Sequence, residues 1–411
     1  MPQPSRVLPV LVAALATLGA VGVTLGVVYN LIGLPALERP FGAYYRLDLD
    51  VYRLGGTVFA HGDPIYGQLP LTAFGTPLPF TYPPLAAISF APMSWMSLTA
   101  ASTIMTIVSI VALAASILLT MRSLGITDTA LWLSGGAAAL GLAFVAEPVF
   151  STLNYGQVNL LLMALVLADL LPRKTPWPRG LLIGFVAAFK LTPAIFVLYL
   201  LLRRDVRAVL VTGISFVAFT LLGFVLAFGD SAKYWTQILP DSNRIGRPAY
   251  PANQSLTGVL ARLGVEDLRT PLWLLGSLVV LALAVVAMRR ALAADQTALA
   301  VCVNALAGLL ISPVSWSHHW VWAVPILLTL GVLAWRRRSL SLGLWVLLGA
   351  AMFGFAPHWI LAPGRTSGLG WPLPDQLLAS SYVWWGLATL VILATVRRSA
   401  PARTEAALAR A

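Results

Sequence analysis

Apolar residues fill the chain in long runs, and the polar residues gather in the short stretches between them. A hydrocarbon core of about 30 Å needs roughly 20 mostly apolar residues in a crossing helix. Runs of that kind fall near residues 7–29, 100–121, 129–146, 157–172, 206–228, 271–288, 297–312, 318–335, 339–356 and 379–396. Each predicts a helix. Two shorter runs, 179–190 and 191–203, flank Lys190, and a third, 84–97, follows Pro83-Pro84. The first run is too long, and too poorly followed by a small-residue cleavage site, to read as a removed signal peptide. It is expected to remain as a helix.

Composition agrees with the pattern. Hydrophobic residues make up 59% of the chain and charged residues 10%, against about 25% charged in an ordinary soluble protein. Mean hydropathy is +0.84. Most of this surface must face lipid, which excludes a cytosolic enzyme, a nucleic-acid binder and a disordered tail protein. The expected fold class is therefore an all-α, polytopic integral membrane protein. Cys302 is the single cysteine, so neither an internal disulfide nor a cysteine-based metal site can form.

The net charge of +12 is best read by position. Lys and Arg mark cytoplasmic loops. Arg6, Arg122, Arg173-Lys174 with Arg179, Arg203-Arg204 with Arg207, Arg289-Arg290, Arg336–Arg338 and Arg397-Arg398 fall on one side under two conditions. Segment 84–97 must be re-entrant or interfacial, and 179–203 must be a hairpin bent at Lys190. That topology has about twelve crossings, both termini in the cytoplasm, and long outer loops at 30–83, 229–270 and 357–378. Acidic residues, including Glu38, Asp48, Asp50, Glu147 and Asp375, then lie mostly outside. No repeat or soluble domain interrupts residues 1–400, which read as a single transmembrane domain. Residues 401–411 form a cytoplasmic basic tail.

Candidate chemistry collects at the outer ends of the spans. In the first loop, from Tyr44 to Arg53, helical spacing puts Asp48 and Tyr52 on one face and leaves Asp50 to pair with Arg53 or Arg46. Asp48 suits a general base or a metal ligand at the membrane surface; the plainer reading is a solvated amphipathic segment. Phe80-Thr81-Tyr82-Pro83-Pro84 fixes an extended turn and offers Tyr82 as an aromatic wall. Glu147-Pro148 and Tyr155-Gly156-Gln157-Val158-Asn159 read as an outer loop, with Gln157 and Asn159 able to cap a helix or bind hydroxylated ligands. Lys190, between two apolar runs, suits an anionic phosphate; a snorkelling lysine is the alternative. Arg244 and Arg247 either hold a phosphate or are solvated. Asn253-Gln254-Ser255 is a glycosylation tripeptide. In Ser312-Pro313 through Trp316-Ser317-His318-His319-Trp320, a histidine is expected to hydrogen-bond or to exchange protons. No spacing supports zinc.

Taken together, Asp48-x-x-Val51-Tyr52, Phe80–Pro84, Tyr155–Asn159, Lys190–Pro193, Asn253–Ser255 and Ser312–Trp320 resemble glycosyltransferase family 87. The blocks run in order from about residue 44 to 325. The resemblance implies the GT-C architecture at the plasma membrane, with the active site on the extracytoplasmic face. It implies transfer of mannose from polyprenyl-phosphate mannose to a phosphatidylinositol mannoside or lipomannan acceptor, inverting, in α-(1→2) linkage. Arabinofuranosyltransferases share the family, and a lipid-linked sugar transporter or flippase is the rival from another class. The partners expected are the lipid-linked donor, the glycolipid acceptor and membrane lipid, without nucleic acid, cofactor, metal or obligate protein partner. The resemblance puts the catalytic aspartate at Asp48, with His318 or His319 near the acceptor. Lys190, Arg244 and Arg247 are the candidates for the donor phosphate. Asp50, Glu147, Gln157, Asn159 and Asn253 are candidate substrate contacts, with Tyr82, Trp316 and Trp320 stacking on a sugar face.

Overall fold

A computed structural model describes residues 4–33, 45–361 and 370–395. Glu38 and Tyr44 of the first loop, Arg397-Arg398 and the 401–411 tail lie outside the described residues. Helices account for the regular structure among those described, apart from one isolated bridge between Asn253 and Trp316.

Among the described residues six helices are long and apolar enough to cross a membrane: Leu8–Leu31, Leu98–Ser123, Val206–Leu226, Glu266–Ala293, Ser317–Arg337 and Leu340–Ile360. Two bent pairs raise the number to eight: Thr129–Ala143 with Glu147–Tyr155, turned by 73°, and Leu373–Ala379 with Ser381–Thr395, turned by 75°. The remaining apolar runs form shorter helices, among them Asn159–Leu170 and Thr297–Ile311. At 1.5 Å per residue, a helix of 12 residues spans about 18 Å. That is shorter than the hydrocarbon core.

Segment 84–97 forms a helix, Pro84–Phe90, and a 3-10 turn, Ala91–Trp95. It is packed against the helix Leu47–His61, where Gly56 lets the Phe90 carbonyl approach. Glu147–Tyr155, expected as loop, is helical. Pro148 stands in its first turn, where a missing N–H is harmless, and Gly156 caps its far end in the left-handed conformation.

The hairpin at Lys190 follows from its two ends. The helix Leu181–Phe189 stops at Lys190, whose backbone is extended, and the chain resumes as a 3-10 turn, Thr192–Phe196, and a helix, Val197–Leu202. Pro193 accounts for the break. Gly180, just before the first arm, lies against the Ala208 carbonyl and Thr212, just after the second. A Cβ there would sit 2.3 Å from that oxygen, and its φ is +97°, so only glycine fits. Buried Asp169 accepts the Gly180 N–H at 3.0 Å and the Ile183 N–H at 3.1 Å, capping the first arm.

Side chains of the basic loops reach neighbouring elements. Arg290 donates to the Ala394 carbonyl, Arg336 lies beside Gly125, and Arg203 sits within the field of Asp205 and Asp295. The Arg46 guanidinium donates to the Asn30 carbonyl, at the close of the first helix. Small residues seam that first helix to Thr129–Ala143, with Gly22 directly on Gly141.

Candidate active site

The site is built on the first turn of Leu47–His61. Asp48 and Tyr52, four residues apart, share a face and line one cleft of about 660 Å³. Asp50 points elsewhere. Its Oδ2 accepts the Ala73 N–H at 2.7 Å and the Tyr45 hydroxyl at 3.1 Å, while Arg53 donates to the Met96 carbonyl. The expected ion pairs of Asp50 are replaced by these bonds, and its substrate role by an anchoring one: it fastens the helix to the 72–76 turn.

Gly156 brings the second contributor close. Its φ of +71° ends the helix Glu147–Tyr155, and a Cβ there would meet the Arg46 and Leu49 side chains at 2.8 Å. Because the side chain is absent, the next residue, Gln157, reaches Asp48: Gln157 Nε2 donates to Asp48 Oδ2 at 2.5 Å. Gln157 Oε1 accepts the Tyr52 hydroxyl at 2.7 Å and the Tyr82 hydroxyl at 3.1 Å. The two hydroxyls lie 2.8 Å apart. Lys190 Nζ then donates to the Tyr82 oxygen at 3.2 Å and to Asn159 Oδ1 at 3.0 Å, with His319 Nε2 at 3.4 Å. Asp48, Gln157, Tyr82, Lys190 and Asn159 are thus one network, although they are spread over 142 positions between Asp48 and Lys190.

His318 and His319 both line the cleft. They sit in a 3-10 turn, Ser317–Trp322. Thr152 Oγ1 and Asn159 Nδ2 both donate to the His318 carbonyl, at 2.8 and 3.0 Å. His318 Nε2 has no hydrogen-bond partner among the described residues. Arg244 lines the cleft and donates to the Phe80 carbonyl at 3.2 Å. Trp316 lines it too.

Four other candidates stand apart from the cleft. Arg247 is exposed. Trp320 is fully buried, donates to the Gln254 carbonyl and packs on Phe353 and Tyr382; it is core, not a sugar platform. Asn253 is also fully buried. It accepts the Ser315 N–H and donates to the Pro248 carbonyl, which removes it from both sugar binding and glycosylation. Glu147 is buried behind the histidine turn. Its Oε1 accepts from Ser151, Ser317 and Trp359, at 2.6, 2.8 and 3.0 Å, and its Oε2 accepts the Tyr382 hydroxyl at 2.9 Å. A carboxylate with four donors is saturated, so it braces the site rather than meeting substrate.

The cleft also includes Tyr234 and Trp273, which sequence reasoning did not single out. Tyr234 opens a π-helical turn, Tyr234–Ile238, a feature that recurs at functional sites and has no sequence signature. With Leu78, Ile195, Leu239, Ile245 and Ile311, they make most of the wall apolar. The chemistry offered is a carboxylate base, an ammonium and a guanidinium for an anion, and an apolar wall for a lipid. Burial pushes the Asp48 carboxyl up to about 6, against the opposing effects of the Gln157 hydrogen bond and the Lys190 charge. Asp48 is therefore mostly ionised at neutral pH and able to take a proton.

Comparison with known proteins follows the same lines. The profile of glycosyltransferase family 87 matches residues 80–313. Among curated relatives, a polyprenol-phosphate-mannose-dependent alpha-(1-2)-phosphatidylinositol mannoside mannosyltransferase of Mycobacterium tuberculosis is 45% identical, over 88% of this chain and 87% of its own. Its namesake in Mycolicibacterium smegmatis is 46% identical, over 86% and 85%. A polyprenol-phosphate-mannose-dependent alpha-(1-2)-phosphatidylinositol pentamannoside mannosyltransferase of Mycobacterium tuberculosis is 37% identical, over 71% and 67%. No solved structure matches the chain.

The placement of Asp50 is open to test. Asp50→Ala removes the acceptor of the Ala73 and Tyr45 bonds and is expected to lower the thermal midpoint in detergent, by about 1–3 kcal/mol of stability, while kcat per folded molecule stays within about threefold. A collapse of kcat in protein of unchanged stability would return Asp50 to the chemistry.

Proposed function

The chain belongs to glycosyltransferase family 87, and from that premise we propose that it transfers mannose from polyprenyl-phosphate mannose to a phosphatidylinositol mannoside, forming an α-(1→2) linkage. The observation that carries the reading is the meeting of Asp48 and Lys190 in one cleft with an apolar wall. An acceptor hydroxyl attacks the anomeric carbon as the bond from that carbon to the phosphate oxygen breaks. The hydroxyl proton passes to Asp48, and the bonding pair leaves with polyprenyl phosphate. A single displacement on a β-linked donor inverts the anomeric centre and gives the α product. Lys190 and Arg244 stabilise the charge that grows on the phosphate. His318, with Nε2 unpartnered, faces the acceptor, and His319 shares the Lys190 ammonium. The apolar residues of the wall take the first isoprene units.

In this reading the cleft faces outward, and the arginine loops face the cytoplasm, as their charge requires. The protein is a plasma-membrane, multi-pass enzyme whose donor and acceptor both arrive through the lipid.

Membranes holding the protein are expected to transfer label from polyprenyl-phosphate mannose, and not from polyprenyl-phosphate arabinose, to a phosphatidylinositol mannoside. Asp48→Asn should lower the rate by about 10²–10⁴-fold; unchanged transfer by inserted Asp48→Asn protein would remove it as the base, and arabinose transfer would replace the donor. For orientation, a cysteine placed at Arg122 in a Cys302→Ser background should resist impermeant thiol reagents in intact cells. Labelling from outside would reverse the topology.

A further inference from the structure

Gln157 has been a candidate for binding sugar hydroxyls, yet both ends of its amide are already engaged. The network they join has only one consistent direction. At one terminus Lys190, which burial pushes down to about 7 and Asp48 holds toward its charged form, has as an ammonium protons to give and no lone pair to offer. At the other, the Asp48 carboxylate only accepts. The Tyr82 oxygen must therefore accept from Lys190, which turns its own proton toward Tyr52 or Gln157. By either route the Gln157 oxygen receives hydroxyl protons, with Tyr52 at 2.7 Å. The amide NH2 is then the end left facing Asp48. A flipped amide would place oxygen against a carboxylate.

We propose that Gln157 is a positioning residue for the base: held in one orientation by the hydroxyls of Tyr52 and Tyr82, it fixes the Asp48 carboxylate in the cleft and keeps it ionised. Sugar recognition is then left to other residues. The inference rests on the reading of Asp48 as general base. The charged and titratable groups around Asp48 are Lys190 across the cleft, Tyr52 on its own helix, Tyr82 and Tyr155 from the flanking segments, and the two histidines, Arg244 and Tyr234 on the same cleft. Of these, Lys190 favours the carboxylate, and the surrounding low dielectric opposes it. The Gln157 donor adds directly to the first.

The test is the pH dependence of kcat/KM for acceptor, measured on the full-length enzyme in detergent or nanodiscs. The wild type should lose activity below about pH 6, as Asp48 takes up a proton. In Gln157→Leu the carboxylate loses its donor, its pKa rises, and the acid limb moves to higher pH. A displacement of about one unit makes the loss at pH 6 about fivefold greater than the loss at pH 8. Tyr52→Phe removes one of the two hydroxyls that orient the amide and disturbs packing less. It should move the limb in the same direction by a smaller amount, and it serves if Gln157→Leu does not fold. An acid limb that stays in place, with only KM for acceptor raised, would make Gln157 a sugar contact and overturn the proposal. Asp48→Asn, assayed alongside, separates the two claims. If it retains full activity, the base assignment fails, whatever the Gln157 variants show.

Discussion

An ammonium drawn into an apolar bundle sets the terms for the structure around it. Removing Lys190 from water costs several kcal/mol unless opposite charge and hydrogen bonds replace its hydration. Here Tyr82, Asn159 and His319 surround Nζ, the Tyr82 ring lies beneath it at 5.0 Å, and Asp48 supplies opposite charge through the network. With Lys190 itself, these groups come from five separate stretches of chain. Bringing them together requires helices that stop short: one at Lys190, one entering at the Ser312–Trp322 turn, one at Gly156. In a lipid environment irregular backbone is tolerated only where it is enclosed by protein or lines a cavity, and these breaks converge on the cleft.

The corner from Glu147 to Asn159 does most of the holding. Glu147 binds the histidine turn through Ser317 and ties it to Trp359 and Tyr382. Thr152 and Asn159 clasp the His318 carbonyl. Gln157 then reaches Asp48, and Asn159 reaches Lys190. One short helix and its cap thus set the distances among Asp48, Lys190 and the histidines. A rigid frame of this kind suits a reaction in which hydroxyl, anomeric carbon and leaving phosphate must lie in line.

Much of this was visible in the sequence, and the part that was not has a physical cause. Apolar runs locate the helices because a 3.6-residue period in lipid has few alternatives. The i, i+4 spacing of Asp48 and Tyr52 predicted their common face, and the two short apolar runs flanking Lys190 predicted the bend there. Local signals failed where a residue's role depends on a distant partner. Glu147 and Asp50 carry the same charge as Asp48, yet four donors, one of them 235 positions away, saturate the first, and the Ala73 backbone claims the second. Trp320 sits in the same motif as cleft residues but turns into the core, and the whole Asn253–Ser255 motif is buried away from the cleft. Pro148 and Gly156 read as loop punctuation and serve as the first turn and the cap of a helix. Among the described residues six to eight spans meet the length and apolarity of a crossing helix, because apolar content marks a helix as buried or lipid-facing but does not tell a full span from a shorter piece.

The central claim is that Lys190 and Asp48 divide the two halves of one displacement, the cation taking the leaving phosphate and the carboxylate taking the proton. A structure of the enzyme with polyprenyl phosphate and acceptor glycolipid bound tests it most directly. The account predicts phosphate oxygens within hydrogen-bond reach of Lys190 Nζ, the isoprene chain against the apolar wall, and the acceptor hydroxyl within about 3 Å of Asp48. Phosphate bound away from Lys190, or an acceptor hydroxyl turned from Asp48 in a complex competent for turnover, would contradict it.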